Sequence, residues 1–231
     1  MFLLSVHIVF LNMNICRVVS DLLTSNMYIV SEGTGAIVVD PCRNTEMPDG
    51  VIPELIFLTH EHYDHISGVN AWKEKYNTKV ICSAECNSRI QSKTKNMARY
   101  FEAFCEIQTG LDNTPPSDFD PDYECSADEE ISEDVEFTWR GHLIRFILLP
   151  GHSAGSSAIL IDNCLFSGDS IFENQDTVLN FPGGSKTAWE DISLPKILAL
   201  PPDIIVYPGH FDSFRLEKWS PYKEVKNGIF Y

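Results

Sequence analysis

Short apolar segments bounded by turn residues recur along the whole chain. Such segments are typical of β-strands, particularly where Gly, Pro, Asn or Asp follows them. Arg140–Gly141 lies between two alternating segments and predicts the turn of a hairpin. The pattern predicts strands at residues 26–31, 36–40, 55–58, 79–82, 135–139, 142–146, 147–149, 158–161, 165–167 and 204–207.

Longer segments with apolar residues at a helical spacing lie between these strands. Residues 65–76 and 85–107 each carry an apolar stripe and predict amphipathic helices. The pattern Thr187-x-x-Glu190 predicts the capped start of a third helix, which Pro195 is expected to interrupt. The order is strands, helix, strand, helix, then strands, helix, strand. This order predicts an α/β protein with two halves of similar plan.

Two stretches do not fit this plan. The apolar run at residues 1–11 has no Lys or Arg before it, which makes a secretory signal weak. We expect a first strand there, or an N-terminal extension at residues 1–12 before a second candidate start at Met13. Residues 108–134 lie in an acidic, proline-containing stretch without Lys or Arg and predict a lid-like insertion, with a partner surface as the alternative. No repeat or linker divides the chain, so we expect one domain over residues 1–231.

Composition limits the partners of this domain. Of the 231 residues, 44% are apolar and 22% charged, which is typical of a globular protein. The 33 acidic and 17 basic side chains give a net charge of −16, which argues against nucleic acids and anionic membrane surfaces. No apolar stretch reaches the roughly 20 residues that a membrane span needs. The seven cysteines form no C-x-x-C pair, so we expect reduced thiols and a cytoplasmic protein.

Three of the seven histidines lie in one short segment, Thr59–His65, with the sequence THEHYDH. On an extended chain, side chains alternate, so His60, His62 and Asp64 are expected to share one face. His65 is expected to turn back toward them where the chain enters a helix. Imidazole and carboxylate are ligands that Zn²⁺ favours in catalytic sites, so the segment predicts a metal centre.

Three later segments repeat this arrangement of an apolar strand, a turn and one ligand-type side chain. They end in His152, Asp169 and His210. A Gly in each turn lets the backbone bend and approach a bound ion. Strand ends of this kind can meet at one edge of a sheet. The other two histidines, His7 and His142, are expected to be structural.

The motifs H-x-H-x-D-H, P-G-H-S, S-G-D-S and Y-P-G-H, in this order, resemble those of the metallo-β-lactamase-fold hydrolase superfamily. The resemblance covers about residues 26–210. It implies a four-layer αββα sandwich with the metal site at one edge of the two sheets. It also implies a first metal on three histidines, a second on Asp64 and two histidines, and a bridging carboxylate. In that order the implied ligands are His60, His62 and His152, then Asp64, His65 and His210, with Asp169 as the bridge.

Neighbouring residues are expected to support these ligands. Asp40 matches the early buried Asp of the superfamily, which supports the metal-site loop. Thr59 belongs to the same supporting set. Ser153 and Ser170 flank ligands and are expected to form hydrogen bonds rather than act as nucleophiles.

Other segments, at residues 25–28, 181–187 and 200–203, resemble the glyoxalase II (hydroxyacylglutathione hydrolase) branch. The commonest class B β-lactamases carry Cys at the position of Asp169 and lack the His65 ligand, so β-lactam hydrolysis is not expected. The resemblance does not extend to the helical C-terminal domain that carries much of the glutathione site in that branch. It therefore implies a reaction class rather than a particular substrate.

The resemblance implies a hydrolase with two Zn²⁺ per chain that acts on a small-molecule substrate. A metal-bridging hydroxide would attack the carbonyl of a thioester or a related small ester or lactone, and Asp64 would pass a proton to the leaving group. The alternative is an oxidoreductase similar to persulfide dioxygenases, which bind one iron through two His and one Asp, because the same ligand types also suit Fe²⁺. A non-catalytic metal-stabilised module is a third, less favoured interpretation.

Overall fold

Twelve strands form two six-stranded sheets in the computed structural model, which describes residues 13–107 and 115–226. The first sheet has the order β1-β2-β3-β4-β5-β6 and the second β12-β11-β10-β9-β8-β7. The strands of the first sheet are β1 Asn14–Val19, β2 Asn26–Glu32, β3 Gly35–Val39, β4 Ile52–Phe57, β5 Lys79–Ser83 and β6 Glu129–Ile131. Those of the second are β7 Val135–Trp139, β8 His142–Leu148, β9 Ser157–Ile161, β10 Cys164–Gly168, β11 Ile205–Pro208 and β12 Phe214–Arg215.

Seven α-helices lie within the described ranges, together with short 3₁₀ and π turns. The helices are α1 Tyr63–Ile66, α2 Val69–Tyr76, α3 Ala84–Ile90, α4 Phe101–Ile107, α5 Lys186–Ala188, α6 Leu194–Leu198 and α7 Ser220–Lys226. A π-helical turn, Trp189–Ser193, joins α5 to α6. None of the helices in the described part of the chain has the length and apolar character needed to cross a membrane. All seven cysteines are free thiols.

Three apolar clusters show how the layers stack. One cluster fills the space between the sheets and includes Phe57, Phe146 and Phe166. A second packs the opposite face of the first sheet against helices α1 to α3, around Trp72. The third packs the opposite face of the second sheet against the segment from Trp189 onward. This is the αββα sandwich that the motifs imply, so the predicted fold class is confirmed.

The predicted hairpin is present, with β7 and β8 joined by two residues of positive φ, Arg140 at 49° and Gly141 at 91°. Strand β1 was not predicted, because its exposed side chains give no apolar pattern. It pairs with β2 along its whole length, from Asn14 opposite Ser31 to Val19 opposite Asn26. The first strand that the sequence predicts within residues 1–11 lies outside the described residues.

The two predicted long helices are each divided. In residues 65–76 the division falls at Gly68, whose backbone N–H donates to the Pro41 carbonyl at 2.9 Å and which has no room for a Cβ beside Cys42. In residues 85–107, α3 ends at Ile90. The buried Asn96 side chain then binds the carbonyls of Ile90 and Tyr123, and Met97 has a φ of 72°. The prediction of a single helix over 85–107 is therefore wrong, because tertiary contacts outweigh the helical periodicity.

The third helix begins earlier than predicted. Ser185 is its N-cap and accepts a hydrogen bond from the Ala188 N–H at 3.1 Å, whereas Thr187 lies inside α5. Pro195 occupies the first turn of α6. The backbone N–H groups of a first turn have no partner within the helix, so a proline is tolerated there. The capping-box prediction is thus displaced by two residues.

The described part of the acidic insertion, residues 115–134, is attached to the first half of the molecule. The Tyr123 hydroxyl donates to the Ile66 carbonyl at 2.9 Å, and Cys125 N–H donates to the Ile90 carbonyl at 3.1 Å. Strand β6 then pairs in parallel with β5. The role of the insertion as a lid stays a prediction, because residues 108–114 lie outside the described part.

Candidate metal centre

The loop between β4 and α1 carries the first group of candidate ligands. Thr59, His60 and His62 lie on its extended part, and α1 begins at Tyr63. Asp64 and His65 therefore occupy the first turn of a helix. The expectation that Asp64 shares the face of an extended segment with His60 and His62 is wrong in that respect. The helical turn nevertheless brings Asp64 and His65 back toward them.

His60, His62 and His152 form one cluster of buried imidazoles whose ligand atoms lie within 4.8 Å of one another. His152 Nε2 lies 3.0 Å from His62 Nδ1. His60 and His62 follow β4, whereas His152 follows β8. These two strands belong to different sheets, so the cluster spans the edge of the sandwich.

Asp64, His65 and His210 form a second cluster with the same spacing limit. The Asp64 carboxylate lies 3.3 Å from Nε2 of both His65 and His210, and the two imidazole nitrogens are 3.4 Å apart. His210 comes from the turn after β11.

Asp169 lies between the two clusters. One of its carboxylate oxygens is 3.6 Å from His152 Nε2, in the first cluster, and 3.5 Å from His210 Nε2, in the second. The other oxygen is 3.4 Å from His65 Nε2. A single carboxylate thus contacts histidines from both groups, which is the geometry expected of a bridging ligand. The structure brings together all seven side chains that the sequence singled out as ligands.

Hydrogen bonds at the far ring nitrogens orient three of these histidines. The Thr59 hydroxyl donates its proton to Asp40 at 2.6 Å. It therefore accepts a hydrogen bond from His60 Nδ1, which lies 3.0 Å away. His65 Nδ1 lies 3.1 Å from Asp40, and His152 Nδ1 lies 2.9 Å from the Val178 carbonyl. In each ring the hydrogen bond is made by Nδ1, so Nε2 is the nitrogen that points into the site.

Asp40 contacts residues next to or within both clusters. It accepts from the Thr59 backbone N–H at 2.7 Å and from the Thr59 hydroxyl, in addition to His65. Its φ of 53° lies in the left-handed region, which for a residue other than Gly has an energetic cost. One buried carboxylate therefore fixes the loop that carries four candidate ligands. This geometry agrees with the supporting role that the sequence predicts for Asp40 and Thr59.

Two glycines make room for the carboxylates and the loop. A Cβ on Gly209 would collide with Asp169 and His65, and one on Gly168 would collide with Thr59. Gly168 also has a φ of 50°. These positions require Gly because side chains of the site itself occupy the space.

Ser25 and Asn26 join the two halves at the second cluster. The Ser25 hydroxyl donates to the Asp64 carbonyl at 2.9 Å. The Asn26 amide donates to the carbonyls of Pro208 at 3.0 Å and Phe211 at 2.8 Å, on either side of His210. The segment at 25–28 that resembles the glyoxalase II branch thus holds the loops of Asp64 and His210.

The two predicted serines differ in their contacts. The Ser153 hydroxyl donates to the buried Glu61 carboxylate at 2.7 Å, so it links the His152 turn to the His60–His62 loop. The Ser170 hydroxyl is buried and has no hydrogen-bond partner among the described residues. A supporting hydrogen bond from Ser170 stays a prediction.

Burial and charge divide the histidines of the two clusters into two kinds. Burial, and then the neighbouring imidazoles, lower the pKa of His60 well below its usual value. Burial and His152 lower the pKa of His62 to about 3. Burial also acts to lower the pKa of His65, but the carboxylates of Asp64 and Asp169 outweigh it and raise that pKa to about 10. The first cluster is therefore neutral, as metal ligands must be, and the second is an ion-pair network.

Some buried polar atoms of the two clusters have no hydrogen-bond partner in the described part of the chain, which indicates whether a metal ion fits here. The Nε2 atoms of His60 and His62 and one oxygen of Asp169 are buried without a hydrogen-bond partner among the described residues. Such orphaned atoms are costly unless another group satisfies them. Imidazole and carboxylate donors at this spacing suit Zn²⁺ or Fe²⁺. The residues present therefore fit a metal centre.

His142 lies outside this centre, as the sequence predicts. It is buried at the start of β8, with Nδ1 2.6 Å from Asp162 and Nε2 3.5 Å from Glu32. Glu61, its ion pair with Arg89 and the phenylalanines around the site were not predicted from the sequence. Local patterns do not mark either group, because their partners are distant in the chain.

Comparisons with known proteins identify a family and several relatives. A model of the metallo-beta-lactamase superfamily matches residues 20–210. The chain is 27% identical over 194 residues to the probable polyketide biosynthesis zinc-dependent hydrolase BaeB of Bacillus velezensis, covering 79% of this chain and 71% of that protein. It is 28% identical over 159 residues to a hydroxyacylglutathione hydrolase of Brucella anthropi, covering 68% of this chain and 47% of that protein. The matched region is thus about half the length of the latter relative.

A solved structure shares the fold. The BLEG-1 B3 metallo-beta-lactamase superposes with a TM-score of 0.74 at 23% sequence identity, over 89% of this chain and 95% of that chain. At this identity the likeness concerns the fold alone. The match of the family model over most of the chain carries the assignment, and the family that the motifs imply is confirmed. The chain belongs to the metallo-beta-lactamase superfamily.

Proposed function

We propose that this chain is a hydrolase that uses two zinc ions to cleave thioesters, or related small esters and lactones. The observation that carries the proposal is the position of Asp169, whose carboxylate contacts histidines of both clusters. Two findings about the chain support the same reaction class. It belongs to the superfamily, and it is similar to proteins named as a zinc-dependent hydrolase and a hydroxyacylglutathione hydrolase.

Each cluster would hold one ion. The first ion would be held by His60, His62 and His152, the second by Asp64, His65 and His210, and Asp169 would contact both. Bound zinc would supply Lewis acidity that polarises the carbonyl oxygen and activates water near neutral pH.

Asp64 is the residue to which we assign proton transfer. Its carboxylate lies at the pocket, and although burial alone would raise its pKa, His65 and His210 hold that pKa well below its usual value. It is therefore ionised, and we assign to it the orientation of the attacking water and the passage of a proton to the leaving sulfur or oxygen. In a thioester the acyl C–S bond breaks, a C–O bond to water forms, and a carboxylic acid and a thiol leave.

Seven reduced cysteines fit a reducing compartment, and we place the reaction in the cytoplasm on that ground. The partner in this proposal is a small-molecule substrate that enters the pocket beside the clusters. The net charge of −16 argues against a nucleic-acid substrate.

An oxidoreductase with one iron is the alternative function. Two His and one Asp are enough for such a site, and all those ligand types are present. The alternative leaves unexplained why a second complete cluster, Asp64 with His65 and His210, is buried beside the first. The dinuclear hydrolase accounts for both.

The test is metal analysis combined with a substrate screen. Protein purified without added metal should contain about two metal ions per chain, chiefly zinc. The same preparation should hydrolyse thioesters or lactones in a screen that also includes phosphodiesters. A stoichiometry near one with iron would favour the oxidoreductase, and activity confined to phosphodiesters would overturn the carbonyl reaction.

A further inference from the structure

An apolar pocket opens directly above the two clusters. It has a volume of about 200 Å³ and contains His62, Asp64, His152, Asp169 and His210 in its lining. Five phenylalanines from four separate segments make up much of the remaining surface, and we name them the phenylalanine wall: Phe101, Phe104, Phe172, Phe181 and Phe211.

The phenylalanine wall reaches the candidate ligands of both clusters. The Phe181 ring lies 5.7 Å from the rings of His62 and His152, and it packs against Phe104 at 5.4 Å. On the other side, Phe172 and Phe211 pack against each other at 5.7 Å, near His210. A group attached to a carbonyl at the metal centre would therefore lie against aromatic rings.

Several residues that line the pocket have an uncommon backbone conformation. Four lining residues other than Gly have positive φ: Leu23, Thr24, Met97 and Phe211. Phe211 has a φ of 66° and is 56% exposed, and its carbonyl accepts hydrogen bonds from Arg17 and Asn26. Residues held in this region without Gly are uncommon and tend to occur at functional sites.

No Lys or Arg is among the described residues that line this pocket. Arg17, beside Phe211, is already paired with Asp212 at 2.7 Å, and Arg99, near Met97, is paired with Asp122 at 3.1 Å. The net charge of −16 adds a general repulsion of anions. An anionic group on the substrate would find no free countercharge among these residues.

We propose that the phenylalanine wall binds an uncharged, apolar acyl or aryl group, so that the enzyme prefers neutral apolar thioesters and esters to thioesters of anionic thiols such as glutathione. The proposal rests on the proposed function, since it names the substrate class of that same site. Burial of each additional CH₂ group against the wall is the source of the preference.

The test uses thioesters that differ in one part at a time. With the uncharged thiol N-acetylcysteamine, the hexanoyl thioester should show a kcat/KM at least tenfold higher than the acetyl thioester. The hexanoyl thioester of glutathione should show a kcat/KM at least tenfold lower than its N-acetylcysteamine counterpart. Phe211→Ala should reduce the hexanoyl-to-acetyl ratio at least threefold. Leu143→Ala, at an exposed apolar residue of β8 that does not line the pocket, should leave that ratio unchanged.

The outcomes separate this inference from the proposed function. Equal rates with acetyl and hexanoyl thioesters, or faster cleavage of the glutathione thioester, would overturn the inference while hydrolysis stands. If no thioester or ester is cleaved, the proposed function fails. The binding of S-hexyl-N-acetylcysteamine, a thioether that cannot be hydrolysed, then decides the inference by calorimetry. Binding that weakens at least fivefold in Phe211→Ala supports the wall, and no binding to the wild-type protein overturns it.

Discussion

The two halves of the molecule supply the candidate metal centre in different ways. The first half contributes four ligand-type side chains from one short segment, His60 to His65, fixed from below by Asp40. The second half contributes one side chain from each of three turns, His152, Asp169 and His210. The first set depends on local geometry, whereas the second depends on the correct stacking of strands far apart in the chain.

The two halves of the site are therefore sensitive to different substitutions. In the first half, one hydrogen-bonded carboxylate organises several ligands at once. In the second half, separate contacts hold two of the ligands: the Val178 carbonyl lies behind His152, and Asn26 binds the carbonyls on either side of His210. Asp169 is the exception, because it contacts histidines of both clusters. Substitutions in the two halves should therefore differ in their effects on metal binding and turnover.

Asp169→Ala should have the largest effect. It removes the carboxylate that lies between the clusters, so at least one ion should bind more weakly. The value of kcat should fall by about 10³-fold or more, the scale seen when an essential catalytic group is lost. Metal content by plasma mass spectrometry and thioester hydrolysis would measure both. The fold should persist, because the apolar clusters of both sheets remain intact.

His142→Ala is the control for this substitution. His142 is buried and bonded to Asp162, so its loss should cost about 1–2 kcal/mol of unfolding free energy. Metal content and turnover should remain close to those of the wild-type protein. Retention of two metals and near-normal hydrolysis in Asp169→Ala would contradict the dinuclear arrangement.

The contrast between the halves also explains what could be predicted from sequence. The segment THEHYDH is local, so its spacing alone indicates a metal site. The strand-and-turn pattern indicates His152, Asp169 and His210, but only the resemblance to the superfamily assigned them to particular ions. The structure adds the distances that place Asp169 beside both clusters.

Other features depend on contacts that no local pattern records. The helix predicted over 85–107 is broken because Asn96 binds the carbonyl of Tyr123, which lies 27 residues later. Strand β1 has exposed side chains and is recognisable only through its pairing with β2. The phenylalanine wall combines segments that are up to about 110 residues apart in the chain. Its members look like ordinary core aromatics until the fold brings them together.

Asp40→Asn should have a smaller but clear effect on the first half. The amide keeps the size of the side chain, yet it replaces an acceptor oxygen by a donor facing the Thr59 hydroxyl or His65 Nδ1. Loss of such a supporting partner typically lowers metal affinity or activity by about 10–100-fold. Zinc affinity, measured by competition with a chelator, would detect this change.

Asp162→Asn provides a matched control. Asp162 also accepts from a histidine and a backbone N–H, at 2.6 Å and 3.0 Å, but at the turn between β9 and β10. The substitution should reduce stability without altering zinc affinity. An equal loss of affinity in the two variants would show that the effect of Asp40→Asn is general destabilisation rather than support of the ligands.

The smallest expected effect concerns the link between the halves. Arg89 on α3 is paired with the buried Glu61 and donates to the Pro182 carbonyl at 2.8 Å, and Glu61 also accepts from Ser153. These contacts join the His60–His62 loop to the His152 turn and to the segment that carries Phe181.

Arg89→Ala would leave the Glu61 carboxylate buried without its cation, which is costly. We therefore expect a lower free energy of unfolding and a rise in KM of about three- to tenfold. Arg89→Lys keeps the charge but not the forked geometry of the guanidinium, and it should restore stability more fully than KM. Arg43→Ala is the matched control, because Arg43 pairs with the exposed carboxylates of Asp21 and Asp118 instead. A KM unchanged in Arg89→Ala, measured on folded and fully metallated protein, would mean that the two halves hold the pocket in place without this ion pair.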